Sequence, residues 1–106
     1  MQDYELNQNF KQKDEYTNLS DMPNKASRRF TALVTATELT VICKADPELK
    51  ETLIDVINGY IKWVSGVTRA TEKELKEFID AQAIKYWNSR IMKDTILEIA
   101  EYVSRI

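Results

Sequence analysis

Four carboxylates hold the one spacing in this 106-residue sequence that suggests catalysis: Glu48-x-x-Glu51 and Glu77-x-x-Asp80. Residues three apart on a helix lie on one face, so each pair would present its two carboxylates together on its own predicted helix. Two local facts pull the other way. Glu48 and Glu51 fall in the first turn of a predicted helix, where acids complement the helix dipole without any metal. Glu77 and Asp80 lie away from the apolar face drawn by Leu75, Phe78 and Ile79. The remaining inventory is thin. The chain has no histidine, which removes the commonest general base and metal ligand. Its two glycines, Gly59 and Gly66, are too few for a phosphate-cradling loop. The single Cys43 excludes an internal disulfide and, among Val41, Ile42 and Ala45, reads as a buried, inert thiol.

The carboxylate spacing resembles the E-x-x-E and E-x-x-D arrangement of the all-alpha nucleoside triphosphate pyrophosphohydrolases of the MazG type. That resemblance covers four residues and implies an all-α fold in which Glu48, Glu51, Glu77 and Asp80 hold Mg²⁺ for nucleotide hydrolysis. The residues themselves point elsewhere: no catalytic centre, no resident metal and no cofactor is expected.

Binding is the better-represented chemistry. Lys25, Arg28 and Arg29 form a basic cluster at a helix start, where positive charge opposes the dipole; the patch would suit phosphates or an acidic protein surface. Met92, Ile96, Ile99, Val103 and Ile106 recur at steps of four, three, four and three, the seam of a heptad. Folded back, that seam completes a core; left outward, it pairs two protomers or enters a partner's groove. Tyr4, Phe10 and Tyr16 stud an otherwise polar stretch and would anchor it on a partner. Trp63, Trp87, Tyr60 and Tyr86 fall at helical spacing and read as core and rim.

The elements that must position these residues follow from periodicity and caps. Residues 1–23 are expected to be an N-terminal arm, flexible or docked, and residues 24–106 a helical domain. From residue 26 to 45, Phe30, Leu33, Val34, Thr37 and Val41 share one helical face. The stretch is rich in β-branched residues, but no turn divides it and a single strand of that length would be unusual. Asp46-Pro47 is a helix start, with Asp as cap and Pro at the first position. Leu49, Leu53, Val56, Ile57, Tyr60 and Val64 then draw a broad apolar face, widened by Ile54 and Ile61. Asn58-Gly59 would also suit a tight hairpin, yet the helical spacing continues through the pair, and Gly66 is expected to end the helix. Thr71 and Glu74 form a capping box. Beyond it, residues 71–106 are helical in pattern throughout but change their apolar face halfway: either the helix breaks or kinks near Asn88 and Ser89, the favoured reading, or it runs unbroken and offers two faces to two partners. Pairs four apart, Glu72 with Lys76, Lys73 with Glu77 and Glu101 with Arg105, lace the outer faces.

An all-α, small bundle of three to four helices with a polar N-terminal arm is therefore expected. A net charge of −2 argues against a generally nucleic-acid-like surface. No apolar stretch is long enough for a membrane span and no leader is visible, so a cytoplasmic location is expected, or a virion if the chain is viral. The leading functional expectation is a non-catalytic protein–protein interaction module: a regulator, inhibitor or adaptor of the kind carried by phages and mobile elements, with another protein or a second copy as partner. A nucleic-acid-binding dimer using Lys25, Arg28 and Arg29 stands second. The Mg²⁺-dependent hydrolase and a structural virion subunit complete the alternatives.

Overall fold

The computed structural model describes residues 25–106, with side chains from residue 27 onward. Four helices, α1 (Lys25–Ala45), α2 (Lys50–Val67), α3 (Glu72–Ser89) and α4 (Met92–Arg105), form a small all-α bundle. The aromatic anchors Tyr4, Phe10 and Tyr16 and the arm that carries them lie outside the described residues.

Helix α1 is the centre: it packs on α2, α3 and α4, whereas the backbones of α2 and α4 do not come close to each other. A helix with three neighbours needs small residues where backbones come close, and Ala32 and Ala36 are fully buried beside Leu33 and Thr37. The buried face is thus turned toward the alanines from the one drawn by Phe30, Leu33, Val34, Thr37 and Val41; Phe30 and Val34 pack half-buried at its edge. A face ranked by side-chain hydrophobicity overlooks alanine, whose contribution is close approach. The threonines fit because their hydroxyls are satisfied within the helix. Thr37 Oγ1 donates to Leu33 O at 2.8 Å, and Thr40 Oγ1 to Ala36 O at 2.8 Å.

Asp46 caps the next segment, its Oδ1 accepting from Glu48 N at 3.2 Å. The first turn, Pro47–Leu49, is a tight 3₁₀ turn before α2 proper begins at Lys50. Asn58 and Gly59 are helical, so the hairpin alternative is not taken, and Gly59 costs its helix about 1 kcal/mol relative to Ala. Gly66 does not end α2 as expected: the helix runs to Val67, and no glycine has positive φ. Thr68 ends it instead. Its backbone is extended, its Oγ1 donates to Val64 O at 2.8 Å and accepts from Ala70 N at 3.2 Å, and Ala70 is tucked into the core. A hydroxyl that bonds backbone on both sides replaces the left-handed glycine.

The capping box at α3 is complete: Glu74 N donates to Thr71 Oγ1 at 3.1 Å and Thr71 N to Glu74 Oε1 at 2.9 Å. The change of face in residues 71–106 is a break. Arg90 adopts the left-handed conformation, Ile91 is extended, and Ser89 Oγ accepts from Ile91 N at 3.2 Å. Each piece then turns its own face to one core, Leu75, Ile79 and Ala83 from α3 and Thr95, Ile99 and Val103 from α4. No helix among the described residues is long and apolar enough to cross a membrane.

Candidate interaction surface

Helix α2 carries more apolar surface than its two neighbours can cover. At about 100° per residue, Ile54, Ile57, Ile61 and Val64 share one side, and Ile57, Ile61 and Val64 are buried against α1 and α3. A second stripe, Leu49, Leu53, Val56, Tyr60, Trp63 and Val67, runs along the adjacent side at steps of four, three, four, three and four. Because α4 sits across the bundle and its backbone does not come close to that of α2, this stripe faces outward. Leu49 is 39% exposed, Val56 47%, Trp63 39% and Val67 42%, while Leu53 and Tyr60 are half-buried at its inner edge. Scattered exposed apolar residues are ordinary on a protein surface; a contiguous row is not. The broad face read from sequence is therefore two faces. The sign was the uninterrupted heptad spacing of its outer members, which a fully core-facing helix does not require.

The C-terminal seam is distributed differently. Ile99 and Val103 are buried in the chain's own core, and Met92, Ile96 and Ile106 are half-buried. Thr95 takes a fully buried place on α4 that the seam did not include, and Leu97 points outward.

Of the basic cluster, Lys25 opens α1, and Arg28 and Arg29 are half-buried. The Nε atoms of both arginines are buried without a hydrogen-bond partner among the described residues. The four spaced carboxylates are not brought together. Glu48 and Glu51 are exposed at the start of α2, and Asp80 pairs with Lys76 at 3.8 Å. Glu77 lies instead beside a shallow depression near Phe78 and Tyr102. Among the described residues no three acidic, cysteine or histidine side chains stand where they could share a metal ion. Lys76 thus takes Asp80 rather than Glu72; Arg105 and Glu101 pair as their spacing suggests, at 3.2 Å. A further pair, Lys85 with Glu98, ties α3 to α4. Exposed pairs of this kind are worth a few tenths of a kcal/mol, up to about 1.

A cleft of about 360 Å³ opens between α1, α2 and α3, with Ile54, Ile57 and Ile84 on its apolar floor and Lys44, Lys50 and Lys76 at its margin. Cys43 lines it and is half-buried, not enclosed as expected. Trp63 and Trp87 are both partly exposed rather than central, and Tyr60 and Tyr86 are half-buried. The aromatic contact that does join two helices is Phe78 with Tyr102. Burial raises the Tyr102 phenol above its ordinary pKa, the nearby Glu74 carboxylate adds to the rise, and Arg105 opposes it.

Compared with known protein families, curated proteins and solved structures, the chain matches none.

Proposed function

We propose that this protein is a non-catalytic helical interaction module, a regulator, inhibitor or adaptor that works by binding another polypeptide through the outward face of α2. The observation that carries this reading is the stripe itself: Leu49 in the turn that leads into α2, and Val56, Trp63 and Val67 along the helix, each about two-fifths exposed or more. Keeping that much large apolar side chain in water weakens solubility, at about 25 cal/mol for every Å² left uncovered. A protein that folds with such a row uncovered gains by covering it with a partner. Helix-in-groove recognition uses this pattern, with anchors at heptad spacing and an aromatic among them. Trp63 is the residue type most often found at the energetic centre of an interface.

The test is a photo-crosslinking amino acid placed at Trp63 and, as control, at the exposed Lys73 on α3, in cells that make the protein. A discrete adduct from position 63 and none from position 73 is expected. The same products from both positions, or no adduct from either, would refute the reading. The adduct's mass reports whether the second chain is another protein or another copy.

A further inference from the structure

We infer that the polypeptide covering the α2 stripe is a second copy of this chain, docked antiparallel about a two-fold axis near Asn58. This rests on α2 being an interaction surface and names its occupant.

Three independent features of α2 converge on it. The first is spacing. The stripe is a palindrome about Asn58: Val56 answers Tyr60, Leu53 answers Trp63, and Leu49 answers Val67. A two-fold interface places the same patch against itself in reverse, so every position of one stripe meets an apolar position of the other stripe, with none left over at either end. A heterologous partner requires no such symmetry.

The second feature is the pair of glycines. Gly59 and Gly66 are the only glycines in the chain. Both lie in the last two and a half turns of α2, neither has positive φ, and a Cβ built at either would meet nothing within 4 Å. Nothing inside the protomer asks for glycine at either place, and both weaken the helix that holds them. They stand seven residues apart, on the edge of the stripe turned away from the protomer's own core. Thr52, seven residues before Gly59, continues the same small-residue edge. A row lacking side chains lets a second helix backbone approach closely, and it lies on the one side of the stripe where a second copy can enter. In the antiparallel register each Gly59 lies one residue from the axis, close to Gly59 of the second copy, and Thr52 comes within a turn of its Gly66.

The third feature is charge. Outside the glycine edge, Asp55 lies on the first half of α2 and Lys62 on the second, both exposed. Neither makes an ion pair among the described residues. The same register brings Asp55 of each copy beside Lys62 of the other, giving two symmetric pairs at the rim. A parallel arrangement would set Asp55 against Asp55.

The experiment is sedimentation equilibrium with light scattering on the intact chain across the micromolar range and above, with thermal melts in parallel. A concentration-dependent dimer is expected. Val56→Asp should be a folded monomer, since Val56 makes no part of the core. Gly59→Leu is the sharper variant: its side chain meets open space within the protomer, so the melting temperature of the monomer should hold or rise while dimer affinity falls at least ~10-fold. Asp55→Lys and Lys62→Asp should each weaken the dimer several-fold, and the double exchange should restore it. A wild-type chain that stays monomeric at every concentration overturns the pairing, whether residues 1–24 or another protein then covers the stripe. In that case an adduct from position 63 with a different polypeptide would still support the interaction module itself. A dimer indifferent to Val56→Asp and Gly59→Leu overturns it equally, because it would use another surface.

Discussion

The phenol ring of Tyr102 on α4 lies flat against the ring of Phe78 on α3, with centroids 4.1 Å apart and planes 16° from parallel. Stacking places the hydroxyl end of Tyr102 near Glu74 and Arg105, and burial together with the Glu74 carboxylate raises its pKa above 10.0. The fold therefore favours the uncharged phenol relative to the unfolded chain. With respect to this group, stability is fully present below about pH 10 and is lost as pH rises through the higher folded value. A phenolate absorbance titration should show Tyr102 ionising later than the ordinary range. Tyr102→Phe should delete that late step while keeping the stack, and should lessen the fall of melting temperature at alkaline pH.

Ile99 and Leu97 are two residues apart on α4 and should answer mutation oppositely. Ile99 is fully buried and Leu97 is 58% exposed. Ile99→Ala should cost about 2–5 kcal/mol, the transfer term plus the cavity left behind, and Ile99→Asp should leave the chain unfolded by circular dichroism. Leu97→Asp should shift the urea midpoint by the equivalent of about 0.5 kcal/mol or less. Equal losses at the two positions would contradict the placement of α4.

Which parts of this arrangement were legible in the sequence follows from what kind of signal each part sends. Caps are local chemistry: Asp46-Pro47 and the Thr71 and Glu74 box announce helix starts through hydrogen bonds that span two or three residues. The face change between Tyr86 and Met92 is also local, because one straight helix cannot point two opposite stripes at one core. What periodicity does not carry is the number of neighbours around a helix. The alanine face of α1 is invisible until α1 is known to have three neighbours, and the apolar breadth of α2 reads as core until α2 is known to have only two. Gly66 was misleading for a related reason: a glycine near a helix end suggests a left-handed cap, but here Thr68 supplies the ending.

Thr95 is fully buried and its Oγ1 finds no hydrogen-bond partner among the described residues. An unsatisfied buried hydroxyl costs about 1–3 kcal/mol, and replacing it by a methyl of nearly the same shape removes that penalty without opening a cavity. Thr95→Val should therefore stabilise the chain by about 1 kcal/mol in urea denaturation. Thr37→Val is the control on α1, where the hydroxyl is bonded to Leu33 O at 2.8 Å. The gain there should be smaller or absent, since a satisfied bond is lost in exchange.

Arg90 is the one non-glycine with positive φ among the described residues, at φ 58° and ψ 25°. Its N–H donates to Tyr86 O at 2.6 Å, closing the end of α3 before Ile91 turns the chain toward α4. For a residue with a Cβ this conformation costs roughly 1–2 kcal/mol, and glycine avoids the clash. Glycine also returns about 0.4–1 kcal/mol of freedom to the unfolded chain, so Arg90→Gly should be stabilising by a net ~0.5–1 kcal/mol. Arg90→Val should be destabilising by more than 1 kcal/mol, because a β-branched side chain tolerates the left-handed region least. Urea midpoints that moved in the same direction for both variants would mean that the Arg90 side chain, not its backbone, governs the turn.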